Sequence, residues 1–195
     1  IPVVTIDFEF PQCLSVISDN AVGMRKLVEY ILSMGHKKIA YITGDSTSVV
    51  TDIRIKGLKD TMEEHGIEMP ESWILPSEYR NLKKAAEYTR ELLKREDKPT
   101  CIIYSDDYSA VGGIAAIESM GLKIPEDISV AGYDFIASQL QPRLTTVRQD
   151  TERIGMKAAE QLIKLIEGHK TKLSPPSIVA SKLVPGASVR KLEDQ

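Results

Sequence analysis

Short apolar runs alternate with longer stretches in which apolar residues recur at three- and four-residue spacing, and this continues along nearly the whole chain. Residues 3–7 read as a strand. Asp19 stands as a cap before Val22, Leu27, Val28, Ile31 and Leu32, which predict a helix closed by Gly35. Residues 38–43 predict a strand and 44–51 a polar loop. A second helix then runs through Ile53, Leu58 and Met62 to Gly66. Residues 73–77 predict a short strand, and Leu82, Ala85, Ala86, Thr89, Leu92 and Leu93 mark a third helix. The runs 100–105 and 128–132 are continuously apolar, as strands buried on both faces are. Between them lies a helix opened by Asp106 or Asp107 and ended by Gly121. After Pro142 come a strand over 145–149, a long helix over 151–168, a polar loop over 168–176 and an alternating strand over 177–184. The charged tail beyond Pro185 is expected to fray.

Strands that alternate with helices form βαβ units, and right-handed crossovers make the sheet parallel. A chain of 195 residues allows one large domain or two small lobes. Apolar residues at 42% and charged residues at 27% exclude a disordered or fibrous chain. Lys and Arg number 25 against 28 Asp and Glu, a net charge of −3. That balance argues against nucleic-acid binding by this chain itself, because phosphate neutralisation needs a basic surplus. Cys13 and Cys101 stand far apart and outside any metal-ligand spacing, which suits a reduced, cytoplasmic protein. No apolar run approaches a membrane span. The chain enters a strand at once, with no basic leader, as if sequence upstream had been removed.

In an open parallel sheet, ligands bind beyond the carboxyl ends of the strands. Applied here, that rule selects Asp7, the loop 44–51 with Arg54 on the following helix, Tyr79, Asp106 with Asp107, and Asp134. Carboxylates that accept, a guanidinium that donates in a planar fork and an aromatic face suit a polyhydroxylated small molecule. Plainer readings stay open beside this one. Asp107 serves equally as a helix cap, Arg54 as a solvated helix residue, and Tyr79 and Trp73 as core. Position alone favours Asp134. The histidines His36, His65 and His169 flank glycines at helix ends, where a histidine complements the helix dipole. No metal-ligand spacing, nucleophile elbow or phosphate-loop lysine occurs, so neither a metal, a cofactor nor an enzymatic centre is expected. Gly112 and Gly113 read as a close-packing site within a helix.

Several motifs together resemble the LacI/GalR family of bacterial transcriptional regulators. Residues 127–134 lead from Asp127 through the last apolar run to Tyr133-Asp134. Residues 142–150 carry Leu144-Thr145-Thr146-Val147-Arg148-Gln149. Asp19-Asn20 opens a helix that closes on Gly35-His36-Lys37-Lys38-Ile39-Ala40. Ser105-Asp106-Asp107 with Ala110 and Gly112 is similar to the family's Asn-Asp-x-x-Ala-x-Gly. The resemblance covers residues 1 to about 189.

The resemblance implies a periplasmic-binding-protein-like type I fold, with two Rossmann-like parallel-sheet lobes and an N-terminal lobe incomplete in this chain. Residues 17–143 and 183–195 would form the C-terminal lobe. Residues 1–16 and 145–182 would form the partial N-terminal lobe, with the helix-turn-helix headpiece absent. It further implies an effector site of Asp134, Arg54, Asp106, Tyr79, Ser48, Asp7 and Gln149, which takes a sugar or derivative and no cofactor. Asp106 replaces the family's usual Asn. The Arg of a Leu-Val-x-Arg-x-Ser motif is lost at Leu183-Val184-Pro185-Gly186-Ala187-Ser188. A homodimer is expected, with Val111, Ile114 and Ala115 at its interface unless that face is core packing. Operator DNA would be reached through the missing headpiece. A periplasmic sugar-binding protein of a transporter is the alternative, and a sugar-processing enzyme a third reading.

Overall fold

The computed structural model describes residues 1–136, 140, 142–169 and 175–193. Nine strands and five α-helices are assigned among them: β1 Val4–Ile6, β2 Leu14–Ser18, α1 Asn20–Ser33, β3 Ile39–Ile42, α2 Val49–Glu64, β4 Ile74–Leu75, α3 Leu82–Lys94, β5 Cys101–Tyr104, α4 Asp107–Ser119, β6 Ser129–Ala131, β7 Thr146–Arg148, α5 Thr151–Ile166, β8 Ser177–Val179 and β9 Lys182–Val184. The helix starts follow the expected chemistry. Asp19, Asn81 and Asp150 each accept a hydrogen bond from a backbone N–H three residues on. Gly35 and Gly121 follow the ends of α1 and α4 at φ of 90° and 76°, a region in which only glycine is unstrained.

The larger sheet is parallel, in the order β4-β3-β5-β6. Its side chains alternate between two packed faces, as the strand period requires. Ile39, Tyr41, Cys101, Ile103 and Ala131 join one core with Met24, Leu27 and Leu58 from α1 and α2. Ala40, Ile42, Ile102, Tyr104 and Val130 join the other with Ala85, Leu92 and Ile117 from α3 and α4. This double cover explains why β3, β5 and β6 are apolar at successive positions. A smaller parallel sheet, β1-β2-β8, packs Val16 and Val179 against Ile154 and Ala158 of α5.

Three expectations are corrected, and one strand is added. β2 carries no sequence reading of its own, because five residues that end in Ser are too short and mixed to stand out from the preceding turn. Residues 177–184 are two strands and not one: β8 joins the smaller sheet and β9 pairs antiparallel with β7. Residues 145–148 sit with the larger sheet and not with the smaller one. The Asp134 N–H donates to Val147 O, and Val147 is buried beside Met24 and Tyr133. Finally, the tail is pinned. Val130 N–H donates to Ser188 O, Leu192 N–H to Met34 O, and Val189 is buried.

His36 is part of that anchorage. Its Nε2 lies 2.9 Å from Arg190 O and its Nδ1 lies 3.0 Å from Thr100 Oγ1. A carbonyl only accepts, so Nε2 carries a proton, while the Thr100 hydroxyl lies within reach of both His36 Nδ1 and Lys38 O. Burial lowers the His36 pKa, which corrects the expectation of a charged histidine complementing the helix dipole. Of the expected loop over 168–176, residues 170–174 lie outside the described residues. No described helix is long and apolar enough to cross a membrane.

Candidate functional site

β3 has β4 on one side and β5 on the other, so connections leave this junction in opposite directions. The carboxyl end of such a junction is the natural ligand position in an open parallel sheet. Arg54, on the second turn of α2, occupies it and is only 2% exposed. Its Nε donates to Asn20 Oδ1 at 2.9 Å, and its Nη1 donates to the Ser105 carbonyl beyond β5 at 2.9 Å. The guanidinium lies over the Tyr133 ring, 3.6 Å from its centroid. Its Nη2 lies 3.8 Å from Asp134 Oδ1, and the Asp134 side chain is 26% exposed. A buried cation thus meets a solvent-reaching carboxylate at the sheet edge.

Asp134 holds a left-handed backbone, φ 94°, which few residues other than Gly, Asn and Asp adopt. Its carboxylate accepts from Gln149 Nε2 at 2.6 Å. Burial pushes the Asp134 carboxyl above its ordinary range, against the opposing pull of Arg54 and of the Gln149 hydrogen bond. Burial likewise pushes the Tyr133 phenol up to about 12.

The other expected residues stand at different distances from this pair. The Tyr79 hydroxyl shares a hydrogen bond with Thr51 Oγ1 at 2.9 Å. Its ring presses so closely on Gly44 that a Cβ there would lie 2.3 Å from the ring. Ser48 is the half-buried residue before α2, and its side chain makes no capping bond. Asp7 accepts from Ser18 N–H at 2.7 Å and reaches Arg54 only through Ser18 and Asn20. Asp106 is the most enclosed of them. It is 1% exposed and accepts from Ser109 N–H, Ser109 Oγ, Ser105 Oγ and Arg80 N–H. Those donors satisfy a buried carboxylate that also caps α4. Asp107 accepts from Ile136 N–H and Thr146 Oγ1.

Sequence reasoning missed Asn20 and Tyr133. Each stands beside a residue that drew attention, Asn20 behind the cap Asp19 and Tyr133 before Asp134. Nothing in the spacing shows that both close on one guanidinium from α2. The expected interface residues share a face of α4 by spacing but differ in burial. Ile114 is buried in the core with Tyr104 and Ala85, Val111 is half-buried and Ala115 is exposed. Hollows open away from Asp134. One of about 380 Å³ lies at the end of α2, lined in part by Glu63, Ile67 and Met69. Another of about 670 Å³ lies at the base of the larger sheet, lined in part by Lys37, Thr100 and Arg190.

The model of the periplasmic binding protein-like domain family matches residues 28–189. The chain belongs to this family. Among relatives of this periplasmic binding protein-like chain, the ribose operon repressor of Haemophilus influenzae (strain ATCC 51907 / DSM 11121 / KW20 / Rd) is 30% identical over 187 residues. That match covers 92% of this chain and 56% of the repressor. The HTH-type transcriptional repressor PurR of Vibrio vulnificus (strain CMCP6) is 33% identical over 158 residues, covering 80% of this chain and 47% of PurR. A sugar-binding transcriptional regulator of the LacI family from Escherichia coli, solved with phosphate, superposes with a TM-score of 0.87 at 27% identity. It covers 98% of this chain and 69% of that one. The resemblance to LacI/GalR regulators read from the motifs is borne out by these relatives, which are transcriptional regulators. The periplasmic binding protein-like chain spans about half the length of the repressors it matches.

Proposed function

We propose that this chain is the effector-binding region of a bacterial LacI-type transcriptional regulator, and that its effector is a neutral polyhydroxylated molecule, a sugar or sugar derivative. The observation that carries this reading is the Arg54–Asp134 pair, 3.8 Å apart at the carboxyl edge of the larger sheet. One donor and one acceptor at that separation match neighbouring hydroxyls of a sugar ring, each of which both accepts and donates. The carboxylate already offsets the guanidinium charge, so an anionic ligand would meet Asp134 as a repulsive neighbour. Gln149 bonds Asp134 directly, and the effector reading assigns Tyr79, Ser48 and Asp7 to the same site.

The regulatory reading draws support from the repressor relatives, which favour it over a transporter's binding protein and over an enzyme. On this reading the protein is cytoplasmic, where a repressor meets its operator DNA. The two sheets with their helices would act as two lobes, and effector bound between them would favour one lobe orientation. A homodimer follows the same reading, through the α4 stripe Tyr108, Val111 and Ala115, which leaves Ile114 to the core.

Titration calorimetry against D-ribose, other pentoses, hexoses and the purine hypoxanthine tests the proposal. A sugar should bind, and Asp134→Ala should weaken it at least about tenfold, the loss of one charge-assisted hydrogen bond or more. Binding of hypoxanthine alone, or a sugar affinity indifferent to Asp134→Ala, would overturn it.

A further inference from the structure

Asn20 is the first residue of α1 and is only 4% exposed. Both halves of its side-chain amide are engaged, in opposite directions. Oδ1 accepts from Arg54 Nε at 2.9 Å, and Nδ2 donates to the Ser18 carbonyl at 3.3 Å. Ser18 closes β2 in the smaller sheet, whereas Arg54 lies at the carboxyl edge of the larger one. The amide therefore bridges the two.

Ser18 is itself a junction. Its N–H donates to Asp7 Oδ1, and its hydroxyl lies 3.1 Å from that of Ser181, between β8 and β9. The next residue, Asp19, donates its N–H to Val179 O. The chain passes between the sheets at 18–20 and again at 179–182, and these bonds hold the two passages side by side. A third passage, 148–150, carries Gln149, whose amide binds Asp134. Each half of the Arg54–Asp134 pair is thus tied by a side-chain amide to a passage between the sheets.

We infer that Asn20 is a positioning residue that couples the Arg54 guanidinium to Ser18 and through it to the paired passages between the two sheets. The chemistry suits that role. A buried amide that satisfies one donor and one acceptor has no alternative partner, so Arg54 cannot move without Asn20 following or leaving a buried polar group unpaired. Ser, Ala or Gly in its place would start the helix but hold nothing. The consequence for regulation rests on the effector reading above: a ligand that draws Nη2 toward Asp134 would pull on Asn20 and hence on Ser18. The coupling itself stands without a ligand.

The test is therefore made on the ligand-free chain, by nitrogen–proton NMR with exchange into deuterated water. The Arg54 Nε–H should give a protected signal, assigned by its loss in Arg54→Lys. In Asn20→Ala that signal should exchange about tenfold faster, as should the Ser18 and Asp19 amides. Asn20→Asp separates the two halves of the bridge, because a carboxylate accepts from Nε but cannot donate to the Ser18 carbonyl. It should restore the Arg54 protection and leave the Ser18 and Asp19 amides fast. Arg54→Met, which touches neither amide, should speed both while Ile102 and Ile103 in β5 stay unchanged. An unprotected Arg54 Nε–H in the parent chain, or Ser18 and Asp19 amides indifferent to Arg54→Met, overturns the coupling. Should Arg54→Met unfold, Asn20→Asp decides: protection restored at both ends shows that the donor half of the bridge is idle and the inference wrong. Failure of every sugar to bind would sink the effector reading and leave this measurement untouched.

Discussion

The Arg54 guanidinium carbon lies 3.6 Å from the centroid of the Tyr133 ring, and both residues are buried. A cation held against an aromatic face away from water is stabilised by about 2 kcal/mol. The ring also fills space beside Gly23, where an added Cβ would lie 2.2 Å from the Tyr133 hydroxyl. Tyr133→Phe keeps the ring and loses the hydroxyl, which contacts the Asn20 carbonyl at 3.5 Å and bonds the Ser181 side chain. It should cost about 1–2 kcal/mol, whereas Tyr133→Ala should cost about 3–5 kcal/mol. Urea unfolding of the two variants measures this, and equal costs would show that the ring does not support Arg54.

Asp134 should be held at the expense of stability. Burial raises its pKa in the folded chain above the ordinary 3.8. A raised carboxyl pKa means that folding favours the protonated form. Its stabilising contribution is full below the unfolded-state value and is lost as pH rises through the folded-state value. At neutral pH the ionised group opposes folding. Asp134→Asn, which also tolerates a left-handed backbone, should melt higher than the parent at neutral pH, with the gap closing on acidification. Thermal melts across that range check the sign; a lower melting point at neutral pH would mean that the attraction of Arg54 outweighs burial.

His36 works in the opposite sense. Its folded-state pKa lies below the ordinary 6.5 because burial disfavours the charged ring. Its contribution is full above about 6.5 and is lost as pH falls through the folded-state value. Denaturant midpoints should therefore drop between about pH 7 and about pH 5. His36→Gln, which cannot protonate, should show a smaller drop. Protonation adds an N–H at Nδ1 beside Thr100 and leaves the Nε2–H bond to the Arg190 carbonyl, so amide exchange should rise first near Thr100. Identical pH profiles for the parent and His36→Gln would remove His36 from the account.

Two helical glycines should respond in opposite directions to the same change. A Cβ on Gly112 would lie 2.1 Å from the Leu82 carbonyl oxygen, backbone that cannot step aside. Gly112→Ala should force α3 and α4 apart and cost about 1–3 kcal/mol or more. At Gly155, within α5, a Cβ would meet nothing within 4 Å. Gly155→Ala should stabilise by about 0.5–1 kcal/mol. Paired thermal melts give both signs in one experiment.

The sequence by itself determined the elements and their class. The cap at Asp19, glycine stops at Gly35 and Gly121, and apolar runs at β3 and β5 are local signals, since a cap bonds three residues away and a strand buried on both faces has nowhere to put a polar side chain. The carboxyl-edge rule also reached Arg54 and Asp134, because strand ends can be counted along a chain. What the tertiary structure decided was the partner of each polar group. Asp106 and Asp134 read alike as carboxylates after strands. Only the approach of Arg80, Ser105 and Ser109 turns the first into a helix cap, while Arg54 and Gln149 leave the second at the surface. Asn20 meets Arg54 across 34 residues and His36 meets Arg190 across 154. Hydrogen bonds of that span depend on how layers pack, and no periodicity along the chain encodes them.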